Sequence, residues 1–201
     1  GWSTITNDGT NVVLSAYGAQ KSAFGTGQTL SEGSSAQPTA VGHGDMVGFN
    51  TPSNILISFL NSGTTGEISY DSGDSWSTFT MPFAGGYVGC NGTGNVGNSP
   101  RFCAVQYGSN ACAVSDNGTS WTTGTLPATK NWVNAVWCAN CWLALVLSDT
   151  YCATSVDGLT WTARTLAAAY PGARVQIKGT NGQLTQCLIP SGANVIVVNT
   201  Y

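Results

Sequence analysis

Three segments of this sequence share one pattern and recur at intervals of about 40 residues. They are "SYDSGDSWSTFTMP" from Ser69, "VSDNGTSWTTGTLP" from Val114 and "TSVDGLTWTARTLA" from Thr154. In each, an acidic residue, a glycine and a small hydroxyl residue precede a tryptophan, and threonines follow it. Asp and Asn bond to their own backbone in turns, and Gly supplies a positive φ. Each segment therefore predicts a hairpin turn that leads into a strand.

The spacing of these segments indicates a closed repeat architecture. Trp76 and Trp121 are 45 residues apart, and Trp121 and Trp161 are 40 apart. The N-terminal "GWSTIT" repeats the strand part of the pattern without its turn, and a degenerate copy surrounds Ala36. Continued from the C-terminus round to Trp2, the intervals of 34 to 45 residues account for the whole chain. Repeats of about 40 residues with four short strands are typical of propeller blades.

We therefore predict one all-β domain over residues 1–201, a five-bladed β-propeller with four-stranded blades. The blades are expected at about 10–40, 45–82, 86–127, 131–168 and 174–201, with residues 1–6 added to the last. In this arrangement the N-terminal strand completes the last blade and closes the ring, which protects an open sheet edge. A two-sheet sandwich or a β-helix could use similar strands, but neither predicts this period with circular completion.

Composition excludes several classes of partner. Charged residues make up 7% of the chain, against about 25% in typical proteins. The net charge is -3 and the six Lys and Arg residues are scattered singly, so we predict no nucleic-acid partner. No apolar run approaches the roughly 20 residues that span a bilayer, so we predict no membrane insertion and no signal peptide.

The seven cysteines do not predict a metal site. Five of them, Cys90, Cys103, Cys112, Cys152 and Cys187, lie in apolar β-type runs, where Cys acts as a small hydrophobic residue. The "CANC" stretch, Cys138 to Cys141, has the spacing of half a zinc site, but His43 is the single histidine and no second close cysteine pair exists. A disulfide across that turn stays open as an alternative. We predict no metal, no cofactor, and reduced thiols in a chain that folds in a reducing cytoplasm.

The first segment resembles the Asp-box, also called the bacterial neuraminidase repeat. Residues 69–76 fit its full pattern, Ser-x-Asp-x-Gly-x-Ser/Thr-Trp, whereas the second copy departs from it at Val114 and the third has Asp157 directly before Gly158. The resemblance implies a sialidase-like propeller whose boxes join the third and fourth strands, away from the binding face. It implies structural roles for Asp71, Gly73, Trp76, Asp116, Gly118, Trp121, Asp157, Gly158 and Trp161.

Propellers bind ligands on the face formed by links between blades and by turns from second to third strands. On this face the strand map places aromatic, amide and lone charged side chains, which suit sugar hydroxyls and sugar C–H faces. The ligand-binding candidates are Asp8, His43, Asp45, Asn61, Tyr107, Asn110, Lys130, Asn131, Asp149, Tyr170 and Arg174. The alternative for any one of them is an ordinary polar loop residue.

An enzymatic role is not predicted. Sialidases, by the same resemblance, hold the carboxylate of their substrate with three convergent arginines. The three arginines of this chain, Arg101, Arg164 and Arg174, fall on different strands and on different sides of the predicted map. We therefore predict that the chain is not an enzyme. A glycosidase of sialidase-like fold is the open alternative, because two of the candidate aspartates could lie roughly 5 to 9 Å apart on the binding face.

We expect a non-catalytic binding module. Compact, charge-poor propellers with Asp-boxes resemble domains of bacteriophage tail fibres and other virion proteins. The resemblance implies a host receptor or cell-surface glycan as partner, further virion proteins as neighbours, and a location at the virion surface or outside the cell. A free-standing lectin and a structural assembly module of a virion remain alternatives.

Overall fold

The structure is a computed structural model of the chain. It describes residues 2–7, 12–16, 22–25, 30–32, 43–49, 55–60, 63–71, 73–84, 87–92, 102–138, 141–172, 176–180, 183–191 and 194–199, and it describes side chains at 55–60, 63–71, 73–84, 102–137, 141–172 and 189. These residues form strands and turns and include no helix, so the prediction of an all-β chain is confirmed. Within these ranges no helix is long and apolar enough to cross a membrane.

The strands follow one another as antiparallel neighbours. They are β1 (Trp2–Asn7), β2 (Val12–Ala16), β3 (Ser22–Gly25), β4 (Leu30–Glu32), β5 (His43–Phe49), β6 (Ile55–Leu60), β7 (Thr65–Ser69), β8 (Ser77–Thr80), β9 (Tyr87–Gly92), β10 (Phe102–Ser115), β11 (Thr122–Cys138), β12 (Cys141–Val146), β13 (Tyr151–Ser155), β14 (Thr162–Thr165), β15 (Gln176–Thr180), β16 (Gln183–Ser191) and β17 (Asn194–Asn199). Their sheets run β1 to β4, β5 to β8, β9 to β14 and β15 to β17, each in sequence order.

Two long strands connect the parts of the six-stranded sheet. The first half of β10 pairs with β9 and its second half pairs with β11, with register shifts on either side of Ser109. Likewise, residues 122–125 and 130–131 of β11 pair with β10, whereas residues 132–138 pair with β12. Each of these strands therefore serves two successive sets of neighbours.

The N-terminal strand does not pair as the sequence predicts. We predicted that residues 1–6 complete the last blade, whereas β1 pairs with β2, from Asn7 opposite Val12 to Trp2 opposite Ala16. Only four residues separate these two strands in the sequence, and pairing them costs less loop-closure entropy than joining the two ends of the chain. Among the described strands none pairs β1 with β17, so the predicted ring closure is corrected: β1 is the first strand of the first sheet.

The sheets lie side by side along their first strands and pack through their faces. Strand β5 contacts both β1 and β9, and β9 contacts β11. One buried cluster joins β6 and β7 to the first half of β10, a second joins β10 to β11 through β13, and a third joins β11 through β13 to Ile189 of β16. Burial of each large side chain in these clusters contributes about 1.5–3 kcal/mol.

Candidate binding site

The tryptophan turns, residues 69–76, 115–121 and 155–161, are held by hydrogen bonds within each turn. In the first, the Ser69 hydroxyl donates to Asp71 Oδ1 at 2.7 Å, and the Gly73 amide donates to Ser69 Oγ at 2.8 Å. The Ser75 amide donates to Asp71 Oδ1 at 2.8 Å, and the Trp76 indole donates to the Gly73 carbonyl at 3.0 Å. The carboxylate therefore organises the turn and fixes the tryptophan that follows it.

The second and third turns share a shorter pattern than the one we aligned. The amides of Thr119 and Ser120 donate to Oδ1 of Asn117, at 2.9 and 2.8 Å, and the Gly118 amide donates to Ser115 Oγ at 2.8 Å. Asn117 thus occupies the place that we assigned to Asp116, whose side chain is exposed. The reason is that Ser115, one residue after Val114, supplies the hydroxyl anchor and shifts the turn by one residue.

The third turn repeats this arrangement with an aspartate. The Leu159 and Thr160 amides donate to Asp157 Oδ1 at 2.9 and 2.8 Å, and the Trp161 indole donates to the Gly158 carbonyl at 2.9 Å. Partial burial opposes ionisation of Asp157, but the hydrogen bonds from Thr160, Leu159 and Ser155 outweigh it and lower the pKa of this carboxyl.

Polar and aromatic side chains meet at the other end of the strands. The β12–β13 hairpin, the middle of β10 and the middle of β11 converge there, because consecutive hairpins of an antiparallel sheet turn at alternate ends. We call this group the face cluster and define it as Tyr107, Lys130, Asn131, Asp149 and Tyr151. Tyr107 and Asn131 are direct partners across β10 and β11, and the Leu147 amide donates to the Asn131 carbonyl at 3.0 Å.

An ion pair lies at the centre of the face cluster. Lys130 Nζ donates to Asp149 Oδ2 at 2.8 Å and lies 5.1 Å from the centre of the Tyr151 ring. The Tyr151 ring in turn contacts the buried Trp132 edge-on, at 5.9 Å between centroids. Hydrogen bonds from Lys130 and from the Tyr151 amide lower the pKa of Asp149. The carboxylate is therefore ionised at neutral pH, and the pair carries no net charge.

Tyr107 gives the cluster an exposed aromatic surface. Its side chain is 48% exposed, and Asn110 and Asn131 are exposed beside the same strand pairing. The main-chain turn at this point includes Gly108 with a φ of 71°. An exposed ring flanked by two amides can contact both the apolar and the polar side of a ligand.

Tyr170 supports the cluster from below. Its side chain is 1% exposed, its amide donates to the Asp149 carbonyl at 2.9 Å, and its carbonyl accepts from the Ser148 amide at 2.7 Å. Ser148 itself has a φ of 55°, an uncommon value for a residue other than glycine. We assigned Tyr170 to ligand binding, but its burial makes it a support for the hairpin that carries Asp149.

The structure does not describe the side chains of the other predicted site residues. Asp8, Asn61 and Arg174 lie outside the described residues, and for His43 and Asp45, which belong to β5, only the backbone is described. Sequence reasoning missed Tyr151. Its position two residues after Asp149, on the strand that leaves the turn, was the available signal, since a residue at that spacing returns to the same side of the sheet.

Four cysteines have described side chains, and each of them carries a thiol. Cys103, Cys112, Cys141 and Cys152 carry thiols, and the described residues contain no group of three His, Cys, Asp or Glu side chains that could hold a metal ion. Burial raises the pKa of Cys112 and of Cys152 to about 11. Neither is a thiolate nucleophile at neutral pH.

Comparison with known proteins identifies the fold. No protein-family model and no curated protein matches this sequence. Three similar solved structures are a streptogramin B lyase (10% identity, 100% of this chain and 69% of that chain, TM-score 0.70), YCF48 bound to D1 peptide (12%, 99% and 63%, 0.64) and the GH74 enzyme of Niastella koreensis (16%, 94% and 28%, 0.61). All three are β-propeller proteins. This chain has a β-propeller fold.

The same comparison corrects the prediction that the chain is not an enzyme. The lyase and the GH74 enzyme are enzymes built on this fold, so the fold gives no ground for excluding catalysis. Our prediction relied on the scattered arginines, which count against sialidase chemistry but not against the other chemistries that one fold can host. At 10 to 16% identity the likeness shows the fold and assigns neither activity.

Proposed function

We propose that this β-propeller binds a glycan through the face cluster, as a receptor-binding module. One observation carries the proposal: side chains from three separate chain segments meet at the end of the strands opposite the tryptophan turns, around the ion pair of Lys130 and Asp149. The pair is accessible, with side-chain exposures of 37% and 32%. Its donors and acceptors can therefore reach a bound molecule.

The charge of the cluster favours an uncharged sugar. Lys130 and Asp149 compensate each other at 2.8 Å, so an anionic ligand would have to compete with the carboxylate for the ammonium group. A neutral sugar instead accepts from Lys130, donates to Asp149 and stacks a C–H face on Tyr107. Asn131, the cross-strand partner of Tyr107, supplies an amide that can donate and accept. Neutral glycans are thus expected to bind more tightly than sialylated ones.

The proposal includes a finer description of the fold. We propose that the sheets form five blades, in which β9, β10 and the start of β11 make the third blade, and the rest of β11 with β12 to β14 makes the fourth. We also propose that the tryptophan turns are Asp-boxes, which is supported by the pattern of residues 69–76. A virion surface is the setting that the tail-fibre resemblance suggests, and the 7% charged composition is in keeping with it.

A glycan array followed by calorimetry tests the proposal. We expect binding to neutral glycans that is lost at least tenfold in Tyr107→Ala and in Asn131→Ala. Tyr70→Ala is the matched control, because Tyr70 is 53% exposed but lies in the first tryptophan turn. Absence of binding to every glycan, or equal affinity in Tyr107→Ala and Tyr70→Ala, would refute this function. Time courses with each bound glycan show whether the protein also turns it over.

A peptide ligand is the second candidate. YCF48, whose structure contains a bound D1 peptide, has the same fold at a TM-score of 0.64. A cluster with one positive and one negative charge could pair with charges of opposite sign on a peptide. Peptide-array binding that is sensitive to Lys130→Ala, without any glycan binding, would favour this candidate over the first.

A further inference from the structure

A cleft of about 450 Å³ lies beside the third tryptophan turn, at the opposite end of the strands from the face cluster. Its walls include Cys141, Thr154, Thr162 and Arg164. All four residues of β14 are exposed, and two of them, Thr162 and Arg164, line this cleft. The corresponding cleft beside the second turn, between Val114 and Thr122, has about 250 Å³.

On two earlier outer strands, β8 and the first part of β11, the next tryptophan turn in the sequence covers the strand. Phe79 of β8 stacks on Trp121 at 6.1 Å with an interplanar angle of 18°, and Phe59 contacts the same indole edge-on at 5.6 Å. On the next sheet the Thr125 amide donates to the Leu159 carbonyl at 3.3 Å, and the Cys112 thiol lies 3.5 Å from the Gly158 carbonyl. The same mode of packing thus occurs at both junctions.

The strand registers show which residue takes each position in this packing. Phe79 pairs with Gly66, Gly124 with Cys112 and Arg164 with Cys152, each on the third and fourth strands of its unit. Each of Phe79, Gly124 and Arg164 is also the third residue after its tryptophan. Arg164 is therefore equivalent in position to Phe79 and Gly124. Phe79 stacks on the Trp121 indole, and Gly124 lies against the backbone of Leu159.

We propose that the Arg164 cleft is a docking site for a tryptophan turn of another polypeptide. A guanidinium group stacks on an indole face through cation–π attraction and planar contact. Arg164 can therefore stack on the indole of an incoming turn, as Phe79 does on that of Trp121. Thr154 and Thr162 supply hydroxyl groups for the amides and carbonyls of the incoming turn. The occupant is a β-hairpin turn with an exposed tryptophan that packs on the cleft as Trp121 packs on Phe79.

A synthetic peptide with the sequence of residues 114–126 is the probe, and fluorescence anisotropy is the readout. We expect the labelled peptide to bind the intact protein, and the same peptide with alanine in place of the tryptophan to bind at least tenfold more weakly. Cys141 gives a second readout, because a docked turn covers its thiol and slows alkylation at that position.

Two matched variants separate the Arg164 cleft from its smaller counterpart. Thr162→Tyr fills the larger cleft and is expected to weaken peptide binding at least tenfold. Thr122→Tyr, the same change at the first strand residue after Trp121, fills the smaller one and should leave binding within twofold. The proposal fails if the peptide does not bind at about 1 mM, or if both variants bind it as the unaltered protein does. Binding that depends on the tryptophan but not on Thr162 would also overturn it.

Discussion

The third tryptophan turn depends on a glycine at a position that other residues adopt with strain. Gly158 has a φ of 69°, and a Cβ added there would lie 2.5 Å from Val114 Cγ1 of β10. A valine side chain has few rotamers through which to move away. Both the backbone conformation and the packing of the turn on β10 therefore require glycine.

We predict that Gly158→Ala destabilises the protein more than Gly63→Ala. Gly63 has a similar φ of 78° but open space around its Cβ position. The Gly63→Ala variant therefore measures the cost of the backbone conformation alone, about 1 kcal/mol. Overpacking against Val114 adds about 1–3 kcal/mol in Gly158→Ala. Urea unfolding of both variants measures the difference. Equal losses would show that the turn does not pack against β10 as described.

Asp157 gives the third turn a pH dependence that the second turn lacks. Hydrogen bonds lower the folded pKa of Asp157 below its unfolded value, so its stabilising effect is present above about pH 4 and is lost as the pH falls through the folded pKa. Asn117 fills the same place in the second turn without a titrating group. Asp157→Asn should therefore be nearly as stable as the unaltered protein at pH 7 and lose less stability between about pH 4 and pH 2. A variant with the unaltered acid sensitivity would contradict this.

At the scale of elements, the hairpins were the easiest part of the fold to predict. The stretches "CWLALVL" and "YCATSV" alternate or continue apolar residues between turn signals, and they became β12 and β13. The position of the second turn was harder, because both Asp116 and Asn117 can cap a turn and only the hydrogen bond to Ser115 selects Asn117. The pairing of β1 was missed because the similarity of the sequences around Trp2 and Trp76 does not show which strand β1 pairs with. Strand β2, its partner in the structure, follows four residues later.

Four of the five residues of the face cluster were among the ligand-binding candidates predicted from the sequence. Tyr107, Lys130, Asn131 and Asp149 follow from the rule that links and second hairpins share one end of the strands. The burial of Tyr170 could not be read from the sequence, since it results from the way residues 166–170 fold back onto the β12–β13 hairpin.

The support of this hairpin by Tyr170 leads to a prediction. Tyr170→Ala removes a ring that is 1% exposed and should cost about 3–5 kcal/mol of unfolding free energy. Tyr170→Phe keeps the buried ring and loses the long hydrogen bond that Asn134 donates to the Tyr170 hydroxyl, at 3.4 Å, and should cost about 1 kcal/mol. Thermal and urea unfolding measure both values. Ligand affinity that falls tenfold in Tyr170→Phe at unchanged stability would instead make Tyr170 a ligand contact.

At the scale of the whole molecule, successive sets of strands pack on one another in one mode at two junctions. The second and third tryptophan turns each lie on the outer strand that precedes them, as Trp121 does on Phe79 and residues 158–160 do on residues 124–125. This packing explains the recurrence of the turn in the sequence.

A disulfide across one such junction tests this packing most directly. Thr125 and Thr160 form a parallel bridge between β11 and the third tryptophan turn, and a disulfide requires Cα atoms about 4.4–6.8 Å apart. Thr125→Cys combined with Thr160→Cys should form a disulfide on mild oxidation, identified by peptide mapping without reduction. The control is Thr165→Cys combined with Thr160→Cys, because no bridge of this kind joins Thr165 of β14 to the turn among the described residues. Failure of the first pair to cross-link more than the control would contradict the account.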